Sequence, residues 1–139
     1  MTNAEMTGSC LCGGVRYRIT PPVVWFHYCH CSRCRKRSGS AHTANLLIAA
    51  DQIDWLEGGE LAARFELPGA KSYSTAWCTR CGSALPWVTK NGRWVVVPTG
   101  GLDVDPGLRP ERNIFWGSRA PWYVHASELP TFEELPPRE

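Results

Sequence analysis

No apolar run in this 139-residue chain approaches the length of a membrane span; the longest, such as Leu46 to Ala50 and Trp94 to Val97, suit short buried strands. A membrane-embedded helix is thereby excluded from the reading. The N-terminus, MTNAEMTGSCLCGG, has no basic segment followed by an apolar one, so nothing in it directs export and a cytoplasmic location is expected. Charge of one sign is scarce as well. A net charge of +2 and a pI near 8.2 fall short of the strongly basic balance of a dedicated nucleic-acid binder, so nucleic acid is disfavoured as a partner. Internal repeats, linkers and low-complexity tracts are missing. So is any amphipathic helix of ordinary length; the nearest stretch, Ser127 to Leu135, carries prolines that limit it to a turn or two. These absences leave one domain over residues 1–139, with a core of about 6–136, large enough to bury most of its apolar surface without staples. The first few residues and Pro136 to Glu139 are expected to lie free of it.

What is present reads as mostly β. Val15 to Ile19 alternates apolar and polar side chains at period two, and Val23 to Cys29 resumes in extended fashion after Pro21-Pro22. Thr43 to Ala49, Ala63 to Leu67 and Ser72 to Trp77 are further strand segments, with Gly58-Gly59 and Pro68-Gly69 marking turns. Leu85 to Val88 and Trp94 to Pro98 flank Asn91-Gly92, a strong hairpin dipeptide. Seven tryptophans are many for this size and suit an irregular, loop-rich β fold.

The cysteines carry the chemistry. There are seven, an odd number that a closed disulfide framework does not use, and they cluster as Cys10 and Cys12, then Cys29, Cys31 and Cys34, then Cys78 and Cys81. In a reducing compartment such pairs are metal ligands sooner than bridges. The arithmetic is four plus three. A structural zinc takes four ligands and is closed, whereas a zinc that does chemistry keeps a position for water or substrate. Gly13-Gly14 after the first pair and Gly82 after the last permit the tight turns of zinc knuckles. Cys10, Cys12, Cys78 and Cys81 therefore read as a structural zinc site that ties distant strands together. Cys29, Cys31 and Cys34 fall within six residues and converge from one loop after the second strand, leaving one coordination position. Either His42 closes it as an inert Cys3His site or it stays open.

Three thiolates and Zn²⁺ sum to a net charge of minus one, which makes a poor Lewis acid for ionising water and a good partner for a fourth, substrate-borne thiolate. Arg33, Arg35, Lys36 and Arg37 are either a solvated turn or the cations that draw in a substrate bearing carboxylates. Trp25, His27, Trp87 and Trp116 are candidates for pocket lining, and each equally suits the core.

Gly8 to Tyr17, Cys29 to Gly39, Cys78 to Ser83, Phe115 to Trp122 and Leu129 to Pro136 together resemble the glutathione-dependent formaldehyde-activating enzyme family, also called the CENP-V/GFA domain. The resemblance covers nearly the whole chain and accounts for all seven cysteines. It implies an Mss4-like fold of antiparallel β-sheets with little helix, built around zinc. It also implies Cys10, Cys12, Cys78 and Cys81 at a structural ion and Cys29, Cys31 and Cys34 at a catalytic one. The family reaction joins glutathione to formaldehyde and in reverse is a carbon–sulfur lyase step. On this reading the thiol takes the open zinc position, its carboxylates meet Arg33, Arg35 or Arg37, and His42 or Ser40 donates to the developing alkoxide. The three-cysteine site, built from one exposed loop, is expected to hold its ion less firmly and to be partly filled in isolated protein. The competing reading is a non-catalytic zinc module that binds a protein or nucleic acid through its basic loop.

Overall fold

A computed structural model describes residues 4–138; the expectation for the first three residues and for Glu139 lies outside them. The chain is mostly β, as expected. In chain order it forms β1 (Met6–Ser9), β2 (Arg16–Ile19), β3 (Trp25–Cys29), α1 (Ser32–Ser38), β4 (Thr43–Ala49), β5 (Ile53–Glu57), β6 (Ala62–Glu66), β7 (Ser74–Cys78), β8 (Ala84–Leu85), β9 (Trp87–Val88), β10 (Trp94–Pro98) and β11 (Arg112–Ile114). They assemble into sheets ordered β1-β2-β5, β11-β3-β4-β10-β9 and β6-β7-β8. Every pairing is antiparallel except β11 with β3. Among the described residues no helix is long and apolar enough to cross a membrane.

The period-two pattern decides which faces meet. Tyr17 and Ile19 on β2 are fully buried while Arg16 and Arg18, which alternate with them, pair with Glu57 and Asp54 of β5. In the five-stranded sheet Phe26, Leu46 and Val97 oppose one another across β3, β4 and β10 and enter the main core with Ile48, Val95 and Leu85. The residues one step along each strand face the other way. Trp25 opposes Leu47, Leu47 opposes Val96 and Val96 opposes Trp87, which makes a continuous apolar row across four strands.

Several expectations are corrected. Cys29, Cys31 and Cys34 do not come from a loop alone: Ser32–Ser38 is a seven-residue helix that four cationic residues concealed from any apolar periodicity. Its ends explain it. The Cys31 sulfur accepts from the Cys34 amide as an N-cap, and Gly39 closes the last turn at φ 68° with its N–H on the Arg35 carbonyl. The short strands β1, β5 and β11 carry no strong pattern of their own and form by pairing with longer neighbours. The segment Leu85 to Val88 is divided at Pro86, which has no N–H to give a ladder. Asn91-Gly92 does turn the chain between β9 and β10, with the Gly92 N–H on the Thr89 carbonyl.

Candidate metal centres and the cavity beside them

All seven cysteines are free and fall into two groups whose sulfurs lie within 4.8 Å of one another: Cys10, Cys12, Cys78 and Cys81, and Cys29, Cys31 and Cys34. The first group joins the β1–β2 connection to the turn between β7 and β8. Cys10 and Cys12 sulfurs are 3.5 Å apart, and Cys12 and Cys78 are 3.9 Å apart across 66 residues. A tetrahedron of Zn–S bonds of about 2.3 Å has S···S edges of about 3.8 Å, so this donor set fits zinc. Backbone amides are aimed at the sulfurs, Val15 N–H at Cys10 (3.2 Å) and Gly14 N–H at Cys12 (3.4 Å). Gly13 and Gly82 adopt φ of 76° at both turns, a region that side-chain-bearing residues avoid. The hydroxyl and amide of Ser83 hold the Cys81 thiol down to about 5.

The second group sits where β3 ends and α1 begins. Cys29 and Cys34 are buried and Cys31 is half-buried. The Cys29 thiol donates toward Cys34, which lowers the Cys34 pKa and raises that of Cys29; Thr43 and Tyr73 also donate to Cys34, the Tyr73 hydroxyl at 3.7 Å. Burial pushes Cys31 up. Three sulfurs within 4.8 Å of one another suit a soft divalent ion, whose binding would displace their thiol protons. Among the described residues no histidine nitrogen or carboxylate joins either group.

The remaining candidates divide. Arg33 lies beside the three sulfurs, on the wall of a cavity of about 590 Å³, with its guanidinium 5.9 Å from the centre of the Tyr73 ring. Arg35 and Ser40 do not line that cavity. Neither does His42, whose Nδ1 donates to the Thr43 carbonyl (3.2 Å) and whose ring packs on Tyr28 and His30 at 4.4 and 4.9 Å. Trp25, His27 and Trp87 are on the cavity floor, whereas Trp116 packs edge-on against His30 at 4.9 Å, away from it. Arg37 and Lys36 enter a neighbouring recess of about 340 Å³ that shares Arg33 and Tyr73 with the cavity. Burial lowers the pKa of Arg37, and Tyr73 and Cys34 oppose that shift.

Two features had no motif to announce them. Tyr73 comes from the segment before β7 and separates the two cavities. Arg112 on β11 donates to His27 Nε2 (3.3 Å), which fixes His27 as the Nδ1–H tautomer, while Trp25 stacks on the ring at 4.3 Å. Burial, then the Arg112 charge, lowers the His27 pKa and so favours the neutral ring.

A family profile described as glutathione-dependent formaldehyde-activating enzyme matches residues 5–118. The chain belongs to this family. A Halomonas elongata protein whose provisional name is glutathione-dependent formaldehyde-activating enzyme is 37% identical over 115 residues, which cover 77% of this chain and 71% of that protein. A crystal structure of a Rhodobacter sphaeroides protein superposes with a TM-score of 0.58 at 22% identity, covering 76% of this chain and 98% of that one, and shares the fold. The family match takes in both cysteine groups and α1, since Cys10 through Cys81 all lie inside residues 5–118.

Proposed function

We propose that this protein is a cytoplasmic, single-domain zinc enzyme that joins glutathione to an aldehyde through a carbon–sulfur bond, and in reverse acts as a carbon–sulfur lyase. The observation that carries the reading is the three-sulfur group of Cys29, Cys31 and Cys34, with no fourth protein ligand among the described residues, opening on a cavity walled by Arg33. Cys10, Cys12, Cys78 and Cys81 hold a second, structural zinc.

Zinc at the three-sulfur group supplies a soft cation that keeps a substrate thiol deprotonated near neutral pH. The residues around it do the rest. Arg33, Lys36 and Arg37 face the recess next to the sulfurs and receive the carboxylates of the thiol peptide. Tyr73 donates its hydroxyl proton to Cys34 and so supports the charge on that sulfur without titrating itself, since burial drives its own pKa upward. In the bond-forming step the thiol sulfur adds to the carbonyl carbon. One C–S bond forms, the C=O π pair moves onto oxygen, and the proton the thiol released ends on that oxygen. Holding both reactants in one cavity supplies the main acceleration.

X-ray absorption at the zinc edge, recorded as glutathione is titrated into protein carrying two zinc per chain, tests this. The mean sulfur count per zinc is expected to rise as the thiol joins. An unchanged coordination shell with glutathione and with other small thiols would overturn the enzyme reading and leave a zinc-binding interaction module.

A further inference from the structure

The chamber beside the three sulfurs is larger and more apolar than a one-carbon aldehyde requires. Its volume is about 590 Å³, whereas a hydroxymethyl group fills about 60 Å³, twice the share of one water in the liquid. Its floor is the in-register row Trp25, Leu47, Val96 and Trp87. The opposite face of the same strands carries Phe26, Leu46 and Val97 into the core; Val96 and Trp87 also belong to that buried cluster, and what surface they keep lines the chamber with the sulfurs. Among the described residues no carboxylate lines the chamber, and Arg33 is its one permanent cation. The anionic arms of a thiol peptide are served elsewhere, in the recess of Arg33, Lys36 and Arg37.

Phe115 is the second, independent observation. It sits at φ 54°, ψ 41°, a left-handed conformation that costs a bulky residue on the order of 1 kcal/mol or more. Core packing does not account for that strain, because Phe115 is 63% exposed. In that conformation Phe115 lines the chamber.

We infer that the chamber takes an apolar carbonyl substituent, so that the aldehyde joined to the thiol is an aromatic or branched aliphatic one, with formaldehyde the poorer partner. This rests on the thiol-adduct reading above. The two arms of the adduct then separate at sulfur: carboxylates toward the cations, the aldehyde-derived group onto Trp25, Leu47, Trp87 and Phe115.

Calorimetric titration of the zinc-loaded protein with glutathione, S-methylglutathione and S-benzylglutathione tests it without turnover. S-methyl places one carbon on sulfur and S-benzyl places an aromatic ring beyond it. S-benzylglutathione is expected to bind at least about tenfold more tightly than S-methylglutathione, from the apolar area the ring buries. Phe115→Ala, at an exposed position, is expected to bring that ratio below about threefold. Equal affinities for the two derivatives, with glutathione still binding, would overturn the apolar-substituent inference and leave the thiol reading intact. A ratio that persists unchanged in Phe115→Ala and in Trp25→Ala would overturn the chamber as its source. No binding of any of the three would overturn both.

Discussion

Removing one sulfur from each cysteine group should have very different consequences for stability. The four-sulfur group ties Cys12 to Cys78 across 66 residues. Treated as a cross-link, a closed loop of that length withdraws unfolded-state entropy equivalent to about 4 kcal/mol at 25 °C. For a chain of this size each kcal/mol moves the midpoint by about 3–4 °C, so Cys81→Ala is expected to lower Tm by roughly 12–16 °C. Cys81 is half-buried, so cavity formation adds little. The three-sulfur group closes only the few residues between Cys29 and Cys34, whose ends β3 and α1 already hold. There Cys31→Ala removes a helix cap, a loss of about 1 kcal/mol, and Cys31→Ser keeps an oxygen to accept from the Cys34 amide and should lose less. Thermal unfolding by circular dichroism of zinc-loaded proteins, with zinc counted per chain, measures both. Equal loss of Tm in Cys81→Ala and Cys31→Ser, or a loss below about 4 °C in Cys81→Ala, would refute the division into a fold-holding and a working site.

Two further outcomes check the surrounding structure. A Cβ on Gly8 would lie 2.3 Å from Cζ of the fully buried Tyr17, so Gly8→Ala should destabilise by about 2–3 kcal/mol, and Tyr17→Leu in the same chain should recover part of it in denaturant unfolding. The Asp105 carboxyl, hydrogen-bonded by both Arg109 Nη atoms (2.9 and 3.0 Å) and the Gly107 amide, is held down to about 2 from 3.8. Its folded pKa is the lower one, so any stability it contributes is complete above 3.8 and fades as the pH falls toward 2. Carboxyl-carbon NMR titration should find that low value, and Arg109→Ala should return it most of the way to 3.8.

Strand patterning was legible where a strand is long or half-buried, as in β2, β4 and β10, because alternation records one buried face. It was not legible in β5 or β11, which are largely exposed strands held by their partners' hydrogen bonds. Helix α1 was hidden for a related reason: Ser-Arg-Cys-Arg-Lys-Arg-Ser has no apolar stripe, and its ends are set by Cys31 and Gly39. Arg33, Arg35 and Arg37 look alike in sequence. On a helix Arg33 and Arg37, four apart, share a face and line the recess together, with Arg33 also walling the chamber beside the sulfurs, while Arg35 lines neither.

The sequence by itself determined the division of seven cysteines into four and three, because short chelating spacings are local and leave few ways to arrange ligands. It also determined the family, which those same motifs carry. The tertiary structure alone decided what the three-sulfur group looks out upon. Trp25, Leu47, Val96 and Trp87 come from four strands and become one surface only through sheet register, and Phe115 reaches it from more than eighty residues beyond Cys34. Register is a property of paired strands, which no single segment encodes, and it is what turned a set of metal ligands into a site with a shape.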